Sequence, residues 1–197
     1  MSRQAERSET TRASLIDAAR ELFTARGYAD VGTTEIVERA GSSRGAMYHH
    51  FRDKKDLFRA VYEQIQQELI QQVTDEVTRT GTTDPIAALE TGLRIFLRSC
   101  VAPDKARIGL IDAPAVLGWQ EWRALDDKYA LGLVDTSLQL GISTGALRAD
   151  IPARPLANMI LAGLGEAGLF VASAEDPEAA RGAAERAVLA LLDGLRA

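Results

Sequence analysis

The segment Arg44–Phe51 has an apolar side and a hydrogen-bonding side when it is placed on a helix. Met47 and Phe51 lie four residues apart, so they share the face that packs into a core. The opposite face is a contiguous stripe made of Arg44, Gly45, Tyr48 and His49. Such side chains can bond to base edges and phosphates, and a glycine lets the backbone approach DNA closely. The pattern predicts a recognition helix for the major groove of DNA.

The polar residues in and after this helix suit two kinds of contact. Arg44 can make two hydrogen bonds to a guanine edge, which makes it the candidate for reading base sequence. A second group suits phosphate oxygens, which set the register of a protein on the duplex. Its members are Tyr48, His49, His50 and Lys54.

A second short helix, predicted over Thr33–Ala40, positions the recognition helix. We expect Thr33 to cap this helix, whose free N–H groups can face a phosphate. Gly41 suits the left-handed residue that ends it, and Ser43 can cap the next helix. Two helices separated only by Gly41, Ser42 and Ser43 predict a helix-turn-helix.

Helical spacing of apolar residues extends along nearly the whole chain, and no segment has the alternation of a convincing strand. A first helix ends at Gly27, and a long helix runs from Lys54 to Gly81. Asp84-Pro85 and Asp176-Pro177 each mark a helix start. The later helices are predicted near 84–101, 103–111, 118–141, 153–174 and 177–195. The predicted fold is all-α, with a three-helix DNA-binding domain over 1–56 and a helical ligand-binding and dimerisation domain over 57–197.

Charge and composition limit the compartment and the partners. The chain has a net charge of −5, but residues 1–60 carry 11 basic and 9 acidic side chains, so the first part is mildly basic. Cys100 is the only cysteine and no apolar leader is present, so we expect a cytoplasmic protein. The apolar stretch Leu156–Ala174 contains Asn158 and Glu166, which favours a buried helix over a membrane span.

The run TTEIVERAGSSRGAMYHHFRDKKDLF, residues 33–58, resembles the helix-turn-helix signature of the tetracycline-repressor (TetR) family. The shared features are the Ala-Gly turn, the Ser-x-Gly of the recognition helix, the tyrosine, the His-Phe pair and the lysine before Leu57. One difference is Ser42, which stands where an aliphatic residue is common and leaves a hydroxyl that can face DNA. The resemblance implies DNA contacts from Thr33, Ser42, Ser43, Arg44, Gly45, Tyr48, His49, His50 and Lys54.

The resemblance also implies a mechanism: a transcriptional repressor that binds an inverted-repeat operator as a homodimer and is released by a small-molecule effector. The helices near 153–174 and 177–195 would pair with those of the partner as a four-helix bundle. Aromatic residues gather in the middle of the chain, where an effector pocket is expected, although an ordinary core would have the same composition. The candidate pocket residues are Phe96, Cys100, Asp112, Leu117, Trp119, Trp122 and Tyr129. Asp112 could equally be a surface cap before Pro114.

Two other classes of function are possible on sequence alone. An enzyme is disfavoured because the only two histidines, His49 and His50, lie on the predicted recognition helix, which leaves the body without His-based triads or metal sites. A carboxylate-only active site stays open, but no cofactor or metal is predicted. Residues 163–168 match G-x-G-x-x-G in letters, yet no strand precedes them, so they predict close helix packing. The second alternative, a module that binds only protein, leaves the donor-rich stripe without a purpose.

Overall fold

The computed structural model describes the backbone of residues 3–197 and the side chains from residue 5 onward, so residues 1 and 2 of the predicted first domain lie outside it. In this range the α-helices are α1 Arg3–Arg26, α2 Thr33–Arg39, α3 Arg44–His50, α4 Lys54–Thr80, α5 Pro85–Ser99, α6 Ala113–Leu117, α7 Trp119–Asp126, α8 Gly132–Ser143, α9 Ala153–Ala172 and α10 Pro177–Asp193. The described chain contains one isolated β-bridge, between Leu147 and Arg196, and no strand. The predicted all-α fold is confirmed.

Side-chain caps fix several of these helix starts, as the sequence predicted. The Asp84 carboxylate accepts a hydrogen bond from the Ile86 N–H at 2.9 Å, and proline follows at the first helical position. Asp176 does the same for α10, where the Ala179 N–H is the donor. Each cap satisfies an N–H that the helix itself cannot.

The helices predicted near 103–111 and 118–141 are present, but each contains a π-helical part that the sequence did not predict. Lys105–Asp112, called here the 105–112 segment, leads directly into α6, and Asp127–Leu131 joins α7 to α8. The wider turn is visible at the end of the first segment, where the Ala113 N–H donates to the carbonyl of Ile108 five residues earlier. Such turns are rare in α-helices and common at functional sites.

The largest buried cluster joins the first helices to the body of the molecule. It contains Phe23 of α1, Met47 of α3 and Phe58 of α4, together with Ile108 and Leu117 from later in the chain. The predicted division into residues 1–56 and 57–197 falls inside α4, whose residues as far as Ile65 belong to this cluster. That boundary stays a prediction, and the two parts share one continuous core.

Ion pairs at the edge of this core hold the same elements together. Arg20 of α1 donates to Glu68 of α4 at 2.6 and 2.8 Å and to Asp104, just before the 105–112 segment, at 2.6 and 3.0 Å. The hydrogen bond to Glu68 is the main reason that the pKa of Arg20 is raised. On the other side of α4, Lys55 donates to the carbonyl of Leu117 and pairs with Glu121 of α7 at 2.9 Å.

Of the helices in the described range, α9 is the one that is long and apolar enough to cross a membrane by length and composition alone, with a mean hydropathy of 1.4. Asn158 and Gly168 make contacts inside the protein, whereas nothing lies within 4 Å of a Cβ placed at Gly163 or Gly165. Asn158 accepts a hydrogen bond from Arg123 of α7. Gly168 is buried, and a Cβ at that position would lie 3.0 Å from Cys100 Sγ and 3.1 Å from Leu110 Cδ1. The glycine therefore lets α9 approach the 105–112 segment closely.

We expect Gly168→Ala to lower the free energy of unfolding by about 1 to 3 kcal/mol, because the new methyl group overpacks this contact. Gly132→Ala is the matched control, since nothing lies within 4 Å of a Cβ there and the residue is helical. It should leave stability unchanged or raise it by about 0.5 to 1 kcal/mol. Urea unfolding at one protein concentration measures both variants, and equal stability of the two would contradict the packing role of Gly168.

Candidate nucleic-acid interface

The turn between α2 and α3 has the chemistry that its residues predict. Gly41 adopts a positive φ of 58°, a conformation that glycine reaches without strain. Ser43 precedes α3, and its hydroxyl accepts a hydrogen bond from the Ala46 N–H at 3.1 Å. Met47 and Phe51 are buried, at 0% and 3% exposure. This burial turns the opposite face of α3 outward.

The start of α2 differs from the prediction. The helix begins at Thr33 itself, and Gly32 precedes it in an extended conformation without a side-chain cap. The prediction that Thr33 caps the helix is wrong, because Thr33 is already the first helical residue. Thr33 is half-buried at the beginning of α2.

The predicted DNA-contact residues from the turn and α3 fall into two groups by exposure. Those that face solvent are Ser43, Arg44, Gly45, Tyr48 and His49, and the half-buried ones are Ser42 and His50. Tyr48 is 51% exposed although its ring is large and apolar. An exposed arginine, tyrosine and histidine on one short helix form a surface that can donate hydrogen bonds to bases and phosphates.

A second basic residue, Arg12 of α1, lies beside the end of the recognition helix. Its guanidinium carbon is 5.3 Å from the centre of the Phe51 ring, and the rings of His49 and His50 are 5.3 Å apart. Burial, followed by the charges of His49 and Arg12, holds the pKa of His50 below its ordinary value. Arg12 is not predictable from the sequence pattern of the helix-turn-helix, because its place beside α3 depends on how α1 packs.

Lys54 has partners that the sequence did not predict. Its ammonium donates to the carbonyls of Tyr28 at 2.8 Å and Val31 at 2.9 Å, and it lies 4.0 Å from the centre of the Tyr28 ring. Burial lowers its pKa below the ordinary value. Two of its three N–H donors are therefore used within the protein. A phosphate contact by Lys54 stays a prediction, and it would have to share the ammonium with this loop.

The predicted effector residues do not gather around one cavity. Phe96 and Cys100 pack with Leu110 and Val171, and burial raises the pKa of the Cys100 thiol to about 12. A thiol with that pKa is neutral at pH 7 and behaves as an apolar group.

The other predicted effector residues lie elsewhere. Leu117, Trp122 and Tyr129 belong to the core shared with the DNA-binding helices, or pack against it. Trp119 is 69% exposed and packs against Trp122 in a tilted arrangement with ring centres 5.5 Å apart. Asp112 accepts a hydrogen bond from the Tyr28 N–H at 3.0 Å, so its carboxylate faces the loop after α1.

Two surface clefts, of about 370 and 380 Å³, lie outside these clusters. The first is between α1 and Asp104, and the second is between α4 and α5. Neither is lined by a predicted effector residue. Among residues 5–197, no group of three or more His, Cys, Asp or Glu side chains is placed to hold a metal ion.

The fold and this surface are those of a helix-turn-helix regulator, and comparison with known proteins specifies the class. Residues 15–61 match the family described as "Bacterial regulatory proteins, tetR family", and residues 86–195 match "Tetracyclin repressor-like, C-terminal domain". The TetC protein of transposon Tn10 from Escherichia coli is 32% identical over 146 residues, which cover 74% of this chain and 73% of that protein. The regulator AcrR of Shigella flexneri is 33% identical over 101 residues, 51% of this chain and 46% of that protein.

The structural comparison gives the same result for the whole chain. The crystal structure of a TetR-family regulator from Pectobacterium atrosepticum superposes with a TM-score of 0.81 and 32% identity, covering 100% of this chain and 98% of that one. The protein is a DNA-binding transcriptional regulator and not an enzyme. It belongs to the TetR family, whose members bind operators as homodimers and respond to small-molecule effectors.

We expect operator affinity to rise as pH falls from 8 to 6. The predicted phosphate contact would raise the pKa of His50, which the free protein holds low, so binding would take up a proton and affinity would rise as pH falls below the bound-state pKa. Between its free-state and bound-state pKa values, His50 contributes a slope of at most about −1 to the logarithm of the binding constant against pH.

Fluorescence anisotropy at fixed ionic strength measures this slope. His50→Gln should reduce it by about one proton while it preserves a hydrogen-bonding side chain. A wild-type affinity that does not change with pH, or an unchanged slope in His50→Gln, would contradict the assignment.

Proposed function

We propose that the dimer places its two α3 helices in successive major grooves of an inverted-repeat operator, with centres roughly 34 to 36 Å apart. The observation that carries this proposal is α3 itself, where the burial of Met47 and Phe51 leaves a front of exposed hydrogen-bonding groups. Repression follows from occlusion of the promoter. The cytoplasm is the compartment in which this DNA is accessible.

Within this interface we assign separate roles to the candidate residues. Arg44 at the start of α3 reads a guanine edge, and Gly45 allows the backbone to approach the DNA. The remaining contacts go to phosphates and fix the orientation of the helix. They come from Thr33, Ser42, Ser43, Tyr48, His49, His50 and Lys54.

The dimer contacts are proposed for α9 and α10. Both helices expose large apolar side chains, with Met159 at 70%, Phe170 at 56% and Leu191 at 73% exposure. An apolar face of this kind in a soluble protein indicates a partner surface. Pairing it with the same face of a second copy gives the self-complementary interface of a twofold dimer.

The effector is proposed to be a small, mainly apolar molecule that enters the body near Phe96, Cys100 and Leu110. Contacts at Gly168 leave no room for an added Cβ, so a ligand there must move the 105–112 segment away from α9. The effector releases DNA only if it binds this shifted arrangement more tightly than the DNA-binding one, since equal affinity changes no equilibrium.

Selection from a library of random duplexes tests the proposed DNA contact geometry. Purified protein should enrich an inverted repeat that it binds as a dimer, with affinity that falls steeply as salt rises. No enrichment above nonspecific binding by folded protein would contradict the proposed function.

We expect Arg44→Ala to weaken binding to the selected operator by about tenfold or more, and to relax the base preference at one position of each half-site. Arg148→Ala is the matched control, because it also removes one exposed arginine, here paired with Asp150. Anisotropy titrations against the operator and its single-base variants measure both. An equal loss in the two variants would show that Arg44 contributes only charge.

A further inference from the structure

The loop from Gly27 to Val31 connects α1 to the helix-turn-helix and is held from two sides. Gly27 ends α1 with a φ of 85°, and its N–H donates to the Phe23 carbonyl at 2.7 Å. The Tyr28 ring packs against Phe23 and Phe58, with ring centres 5.6 and 5.2 Å apart. These contacts anchor the side chain of Tyr28. The backbone polar groups of the loop bond to Asp112 and Lys54.

On one side, the 105–112 segment of the body holds this backbone. The Asp112 carboxylate accepts from the Tyr28 N–H at 3.0 Å. The Arg107 guanidinium donates to the Arg26 carbonyl at 3.1 Å and lies so close to Gly27 that a Cβ there would be 2.7 Å from Nη2. Both contacts join positions about eighty residues apart in the sequence.

On the other side, the same loop is held by the DNA-binding helices α1 to α3 with the start of α4, called here the head. The Lys54 ammonium bonds to the carbonyls of Tyr28 and Val31. Lys54 is the first residue of α4 and follows α3 after a short connection that includes the buried Phe51. Tyr28 thus donates its N–H to Asp112 and accepts through its carbonyl from Lys54. Tyr28 therefore links the 105–112 segment to the start of α4, four residues after the end of the recognition helix.

The 105–112 segment has a second contact surface, against α9. Leu110 packs against Gly168 of α9 within the cluster that contains Cys100. This tight packing leaves no space for a ligand between them, so a ligand that binds here has to displace the 105–112 segment from α9.

We propose that Asp112 is a positioning residue for DNA binding, whose bond to the Tyr28 N–H transmits the position of the 105–112 segment to the recognition helix through the Gly27–Val31 loop. This inference rests on the proposed role of α3 in DNA binding. It replaces the expectation that Asp112 contacts the effector.

The first experiment measures the loop without DNA. Hydrogen exchange of peptides that cover residues 27–31 is compared in the wild type, Asp112→Ala, Asp112→Asn and Asp150→Ala. Loss of one backbone hydrogen bond should raise exchange by about threefold to tenfold in Asp112→Ala. Asp112→Asn should restore much of the protection, because an amide oxygen still accepts a hydrogen bond. Asp150→Ala removes the same charge at an exposed ion pair and should change nothing in the loop.

The second experiment measures operator affinity in the same variants at equal ionic strength. Asp112→Ala should bind about tenfold more weakly than Asp150→Ala, with the dimer content of the wild type and a melting temperature lowered by no more than a few degrees. Lys54→Ala should also weaken binding. Because both residues act on one loop, adding Asp112→Ala to the Lys54→Ala variant should weaken operator binding by less than about a further twofold.

Distinct results overturn distinct claims. Unchanged exchange in residues 27–31 of Asp112→Ala shows that the carboxylate does not hold the loop, whatever the DNA result. Raised exchange with wild-type operator affinity shows that the loop does not position the head. Additive losses in the double variant exclude a shared route. If the wild type itself binds no duplex, the proposed function fails, and the transmission to DNA fails with it, while the exchange data still decide whether Asp112 holds the loop.

Discussion

A recognition helix of seven residues cannot keep its shape in water by itself, and this constraint determines much of the structure around it. The helix α3 is stabilised by the Ser43 cap and by the burial of Met47 and Phe51. Removing either side chain from water contributes about 1.5 to 3 kcal/mol, which exceeds the intrinsic stability of two helical turns. The orientation of the exposed stripe is therefore set by the core beneath it.

That core is not confined to the DNA-binding helices. Ile108 and Leu117, from the middle of the chain, are buried in the same cluster as Met47 and Phe58. Close-packed interiors transmit displacement, because a side chain cannot move without its neighbours. Displacing the 105–112 segment therefore requires its neighbours in the DNA-binding helices to move as well. The two parts of the chain share one core and are not joined only by a flexible hinge.

Polar contacts also connect the 105–112 segment to the DNA-binding helices. The segment is bonded to the loop after α1 through Asp112 and to the last residue of α1 through Arg107, and Arg20 connects its beginning to α1 and α4. The apolar cluster around Cys100 and Gly168 lies against the same segment on the α9 side. Under the proposed mechanism, the effector and the operator favour different positions of this one short π-helical element, which is the physical requirement for a ligand that releases DNA.

The sequence by itself determined the all-α fold, most helix limits, the caps at Ser43, Asp84 and Asp176, and which side of α3 faces the core. These features depend on periodicity and on hydrogen bonds between near neighbours in the chain, so they can be read locally. The Thr33 cap was mispredicted because an extended Gly32 serves the start of α2 equally well. Only the tertiary structure decided the partners of Lys54 and Asp112 and the place of Arg12 beside Phe51. Each of these contacts joins residues distant in sequence, and the charge of a side chain does not specify which backbone carbonyl, N–H or ring will be packed against it.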